Sequence, residues 1–241
     1  MVALPWLAPG DPFPPADQAL SDPEGLVAAG ADLSVPTLLQ AYSQGLFPWF
    51  NDGDPPLWWS PNPRLVLYPS QFHCSRSLAR SIRRHDVHIS LDTCFSDVIR
   101  ACAHTPRRGQ RGTWIVPAME QAYQALHHAG HAHSIEVWQQ QQLLGGLYGV
   151  RLGRLFFGES MFSHASNGSK TALAALARLS ERLDITVIDC QVDSPHLRSL
   201  GATLESREHF LQTVRAHSGR SVPPWPRLSA TPFAALPGAL D

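Results

Sequence analysis

Lysine is almost absent from this 241-residue chain: Lys170 is the only one, and the other 18 basic residues are arginine. Codon bias toward arginine accounts for most of that, and a lone ammonium beside a polar loop then has two readings. It is an ordinary residue of a first helical turn, or a compact charge set to meet a phosphate or to hold the carboxylate Glu159. Long apolar runs are also missing. None approaches the roughly 20 residues of a membrane span, and the start MVALPWLAPGDPFPP lacks the basic segment of a signal peptide. No membrane partner and a cytoplasmic location are expected. Cysteine is sparse: Cys74, Cys94, Cys102 and Cys190 form no CxxC pair and no metal-ligand spacing, so buried free thiols are expected. His127, His128, His131 and His133 have no carboxylate at ligand spacing, and read as a solvated helix end rather than a metal site.

Basic side chains other than histidine are missing altogether from residues 1–63, which hold seven acids. Residues 64–111 hold nine Arg against three Asp, and the remainder holds ten of each sign, so a net charge of −1 conceals segregated blocks. The middle block suits an anion. The shift divides the chain into a small N-terminal domain (1–63), a larger domain (64–217) and a loose Pro/Ala-rich tail (218–241).

Residues 1–35, rich in Pro, Gly and Asp, read as an irregular arm. Pro36 to Gln44 reads as a helix closed by Gly45. GLFPWF and LWWSPNPR then set Phe47, Trp49, Phe50, Trp58 and Trp59 among rigid prolines, as a small core or a stacking platform, with Trp49 expected at an exposed face. A strand over Arg64 to Tyr68 precedes a helix over Ser75 to Arg84, in which Arg76, Arg80, Arg83 and Arg84 share one face. That helix holds no acid, so a phosphate backbone relieves the repulsion better than solvent alone. A helix over Asp92 to His104, with Asp92 as its cap, is followed by the Arg-rich loop Arg107 to Arg111, by GTWI, and by a helix from Pro117 to Ala129 that carries Tyr123. Ser134 to Trp138, Gln142 to Val150 and Arg154 to Phe157 read as consecutive antiparallel strands.

The stretch Gly158 to Gln191 carries the chemistry. The last of those strands delivers Glu159, and the polar loop His164 to Ser169 offers Ser166, Asn167 or Ser169 as a helix cap. Leu173, Leu176, Leu179 and Leu183 then recur as on the buried face of a helix. The strand Ile185 to Ile188 runs into Asp189, Cys190 and Gln191, so two strand ends bring polar groups beside one helix start. DSPHLRSLGA reads as a short helix, and Arg207 to Ala216 as a final one.

Three chemistries compete for this α+β pattern. A Cys/His hydrolase would use Cys190, His164 and Asp189, but no thiolate-stabilising helix start follows Cys190. An acyl-CoA-dependent N-acetyltransferase suits the order of strands, loop, helix and strand, yet HASNGSK offers one glycine for a pyrophosphate. Acyl transfer from a nucleic-acid-borne donor needs a basic face, an aromatic platform and an apolar pocket, all present here. A non-catalytic tRNA-binding module is a reading from another class; it leaves the cluster of Glu159, Asp189 and Gln191 unexplained.

GLFPWF, WWSPNPR, FHCSRSLARSIRR, GTWI, GESMFSHASNGSKTAL and DCQVDSPHLRSLGA, in this order and spacing, resemble the bacterial leucyl/phenylalanyl-tRNA protein transferases over about residues 13–215. The resemblance implies transfer of Leu or Phe from aminoacyl-tRNA to the α-amino group of proteins beginning with Arg or Lys, which tags them for degradation by the N-end rule. It implies a GNAT-like acyltransferase domain with a mostly antiparallel sheet flanked by helices, behind a small N-terminal domain. No cofactor is implied, coenzyme A included. Trp49, Trp114 and Tyr123 would lie near the terminal adenosine of the tRNA, and Arg76, Arg80, Arg83 and Arg84 at its acceptor stem. Leu147, Phe156, Leu173, Leu176 and Ile188 would line the aminoacyl pocket, and Glu159, Asp189 and Gln191 would form the active site. A neutral amide is a poor proton acceptor, so the Gln191 carbonyl is expected to orient the attacking amine, with Asp189 fixing the amide.

Overall fold

The structure, a computed structural model, describes residues 4–84, 86–105 and 115–237. Arg107 to Arg111 and Trp114 lie outside the described residues. β1 (Trp6–Leu7) and β2 (Leu26–Gly30) pair in parallel, so the N-terminal arm carries sheet structure where composition alone suggests none. The first helix, α1 (Val35–Ser43), has its start fixed by Asp32, whose carboxylate accepts from Ser34 N, Ser34 Oγ and Thr37 Oγ1. Those bonds hold the Asp32 carboxyl below its usual range. Gly45 follows the end of the helix at φ +74°. β3 (Phe47–Pro48) and β4 (Leu57–Trp59) complete a four-stranded sheet in the order β1-β2-β4-β3. Its aromatics divide. Trp58, Phe47 and Phe50 are buried, with Trp58 Nε1 donating to Gly30 O, whereas Trp49 is exposed against the half-buried Trp59.

The second sheet begins with β5 (Arg64–Leu67), followed by α2 (Arg76–Arg84), β6 (His88–Leu91), α3 (Phe95–His104) and α4 (Pro117–His128). A meander of β7 (Ala132–Gln139), β8 (Gln142–Leu152) and β9 (Leu155–Ser163) leads through α5 (Gly168–Leu183) to β10 (Val187–Gln191). After α6 (Pro195–Arg198) come β11 (Thr203–Glu205), α7 (Arg207–His217) and β12 (Leu228–Pro232). The strand order is β11-β5-β10-β9-β8-β7-β6-β12, antiparallel throughout except for β9 beside β10. α5 is the crossover that this one parallel pair requires. Its buried leucines, with Leu78 and Ile82 of α2, cover one face of the sheet; α3 and α4, with Tyr42 of α1 and Phe210 of α7, cover the other. The chain is thus α+β, with a small sheet confined to residues 6–59 ahead of a large mixed sheet.

Four local expectations need correction. Asp92 does not cap α3: at φ +55° it turns back toward β7, where its carboxylate takes Ser134 N and His133 Nδ1. His133 is therefore buried on that carboxylate rather than solvated, and His127 bonds Ala132 O. Nor does α5 have a side-chain cap; Asn167 holds the N-cap position at φ +69°, and the preceding turn is tied instead by Ser169 N donating to Ser163 Oγ. Finally, residues 218–237 are not a loose tail, because β12 pairs with β6, and Phe233 and Leu236 just after it are buried in the core. No helix among the described residues is long and apolar enough to cross a membrane.

Candidate active site

β9 and β10 pair in parallel only from Leu155–Val187 to Phe157–Asp189. Beyond that point β9 continues to Ser163 on β8, while β10 continues to Gln191 on β5, so the two strands part and a cleft opens at their carboxyl ends. A cavity of about 360 Å³ fills the cleft. Leu147, Phe156, Leu173, Leu176 and Ile188 all line it, which brings together the five residues expected of an apolar pocket. Glu159, Asp189 and Gln191 line the same cavity and give it polar groups.

Gln191 sits at φ +64° just after a register shift in β10, and that bulge sets its side chain. Its amide Nε2 donates to Glu159 Oε1 at 3.0 Å, and among the described residues no hydrogen bond occupies its carbonyl oxygen. Asp189 does not hold the amide, contrary to the sequence reading. Its Oδ1 accepts from the Gln191 backbone N–H at 2.9 Å and from Arg64 Nε at 2.8 Å, and its Oδ2 accepts from Arg64 Nη2 at 2.6 Å. The pair is bidentate and buried on both sides. Arg64 itself packs against the rings of Phe47 and Phe210, 4.8 and 4.5 Å from their centroids, and among the described residues its buried Nη1 has no hydrogen-bond partner.

Glu159 closes the network. Tyr42 donates to its Oε1 and Tyr123 to its Oε2, both at 2.7 Å, and the two phenols meet at 2.6 Å. Burial raises the Glu159 carboxyl from the usual 4.5 to about 7, while the two phenolic donors and Arg64 pull the other way. Burial and the Glu159 charge keep both tyrosines protonated well above their ordinary range. Tyr123, expected near a nucleoside, is in fact fully buried behind Glu159, where its ring and hydroxyl are already engaged. Arg64 and Tyr42 were not legible as site residues. Nothing in the local sequence links Arg64 to a carboxylate 125 positions away, and Tyr42 reads as one more apolar position of a short helix.

Other expected residues lie elsewhere. Arg76, Arg80, Arg83 and Arg84 are all exposed along α2, with no ion pair among the described residues. Lys170 stands in the first turn of α5, where its charge lowers the titration of His196 behind the larger effect of burial; it does not touch Glu159. The Cys/His arrangement is not assembled. Cys190 Sγ faces Ile188 O, burial pushes its thiol up, and His164 Nδ1 meets Leu143 O. All four cysteines are free, with Cys102 fully buried and the others half-buried.

Residues 66–215 match the family model described as leucyl/phenylalanyl-tRNA protein transferase, and residues 31–62 match that family's N-terminal domain. The leucyl/phenylalanyl-tRNA–protein transferase of Chromobacterium violaceum is 54% identical over 212 residues, covering 88% of this chain and 91% of that protein. That of Polaromonas sp. is 51% identical over 229 residues, covering 92% and 90%. By these matches the chain, with its parted strands and its cavity of apolar and polar residues, belongs to the leucyl/phenylalanyl-tRNA protein transferase family.

Proposed function

We propose that this aminoacyltransferase holds the leucyl or phenylalanyl side chain of an aminoacyl-tRNA in the 360 Å³ cavity and attacks its ester with the α-amine of a protein beginning with Arg or Lys. The observation that carries the reading is the juxtaposition, in one cleft, of an apolar wall and the Glu159–Gln191 amide pair. The C–N bond forms at the aminoacyl carbonyl carbon, the C–O bond to the terminal ribose breaks, and the proton lost by the amine balances the one gained by the ribose oxygen. A neutral amine is already a good nucleophile, and juxtaposition of two bound substrates can contribute on the order of 7–11 kcal/mol to the barrier reduction. The open Gln191 carbonyl receives the amine's N–H. Glu159, one amide away, supplies negative charge against the positive charge that develops there. Asp189 and Arg64 are positioning residues: they fix the backbone turn from which the amide projects. Gln191→Ala should lower turnover by about 10- to 100-fold with little change in tRNA affinity, read in single-turnover transfer.

The arginine face of α2 is the acceptor-stem contact in this reading, with Trp49 and Trp114 beside the terminal adenosine. Tyr123 acts indirectly, through Glu159. Like-charged arginines left unpaired on an exposed face suit a phosphate backbone. Charge reversal at Arg80 and Arg83 should raise the Michaelis constant for aminoacyl-tRNA at least tenfold and flatten its dependence on salt; an unchanged salt slope would remove α2 from the interface. The parting of β9 and β10 also supports a GNAT-like domain from residue 64 onward, behind an N-terminal domain ending near Pro63. N-end-rule tagging in the cytoplasm, without a metal or coenzyme A, completes the reading.

A further inference from the structure

The family match ends at residue 215, yet the chain beyond it packs against Phe156, a residue of the cavity wall. Arg151 donates from Nη1 to Pro223 O and from Nη2 to Leu183 O, and its guanidinium lies 5.8 Å from the ring of Trp225. Trp225 stacks on His133 at 4.3 Å and 10°, and on Phe156 at 5.8 Å and 23°. β12 follows on the sheet edge, and Arg178 of α5 ties the segment down by donating to Phe233 O and Ala234 O. Phe156 is therefore wedged. It lines the cavity and lies over Gly149, where a Cβ would stand 2.5 Å from its ring, and it is backed by the indole.

We propose that Trp225 is a specificity-determining residue, which sets the depth of the aminoacyl cavity by fixing the position of Phe156. The inference rests on the cavity being the aminoacyl pocket. Trp225 is half-buried, so loss of the indole removes the backing of Phe156 and opens space into which its ring can recede, and the deepened cavity favours the larger side chain. Apolar pockets discriminate by about tenfold or more per methylene-sized change in fit. Trp225 does not touch substrate.

The test is the ratio of kcat/KM for Phe-tRNA to that for Leu-tRNA, which does not depend on the fraction of active protein. Trp225→Ala should raise the ratio at least fivefold, whereas Trp225→Phe, which keeps a flat ring, should stay within twofold of the parent. Phe233→Ala removes a different anchor of the same segment and should leave the ratio within twofold even where total activity falls. Leu176→Ala, on the cavity wall, serves as the positive control. A ratio unmoved by Trp225→Ala but moved by Leu176→Ala overturns the inference and leaves the pocket standing. Equal shifts from Trp225→Ala and Phe233→Ala overturn it as well, by reducing the segment to general support. A ratio moved by neither Leu176→Ala nor Trp225→Ala removes the pocket reading itself, and the inference with it.

Discussion

Arg64→Met should cost about 3–5 kcal/mol of stability, lowering the melting temperature by about 10 °C, and should reduce transfer by about 10- to 100-fold, no more than loss of the Gln191 amide itself. The first effect follows from leaving Asp189 buried without its bidentate partner, where both carboxylate oxygens now meet guanidinium N–H groups. The second follows from the turn at Gln191. Asp189 Oδ1 holds the Gln191 N–H at a positive φ, so a displaced carboxylate lets the amide swing out of the cleft. The two effects separate in the double variant Arg64→Met, Asp189→Leu. Replacing both members of a buried pair with apolar side chains commonly restores stability, so the double variant should melt within a few degrees of the parent and still transfer poorly. Recovery of transfer together with stability would reduce the pair to a structural brace.

The dependence on pH should change most at Glu159. With its carboxyl raised to about 7, the group gains its negative charge across the neutral range, so kcat/KM should climb steeply with pH below 7, where Glu159 and the acceptor amine both lose protons, and more gently from there to about 8. Glu159→Gln should flatten that limb and lower kcat/KM at pH 8 by about 100-fold. The slope that remains is that of the acceptor's own α-amine, near 7.7–8. Tyr42→Phe removes a donor that favours the charged form, and should move the limb to higher pH. Stability shifts in the opposite sense. The unfolded chain ionises this carboxyl near 4.5 and the folded protein only near 7, so the folded state holds the extra proton between those values. Glu159 therefore weakens the fold as pH rises from about 4.5 to about 7, and Glu159→Gln should abolish that slope. A pH–rate profile identical in parent and Glu159→Gln would exclude the role.

The parts of this site that could be read from sequence are those with a local period. The leucines of α5 repeat at helical spacing and Phe156 and Ile188 lie on strands flanking it, so the apolar half of the cleft is visible before any coordinates. The polar half is visible only as residue types. Which carboxylate grips the amide depends on the bulge between Asp189 and Gln191, which no period in the sequence announces. Arg64 and Tyr42 act across 125 and 117 positions, beyond any periodicity. The C-terminal segment misleads in another way. Its Pro/Ala composition describes a chain unlikely to hold itself together, but an open sheet edge supplies the partners it lacks.

The most direct measurement gives the purified protein radiolabelled Leu-tRNA together with a peptide beginning with Arg or one beginning with Ala, in the absence of coenzyme A. Label should pass to the Arg peptide alone, through a bond that survives the mild base that hydrolyses the aminoacyl ester. Tight tRNA binding with label on neither peptide, or equal label on both, would contradict the assignment of this cleft as the place where an ester is exchanged for a peptide bond on a basic acceptor.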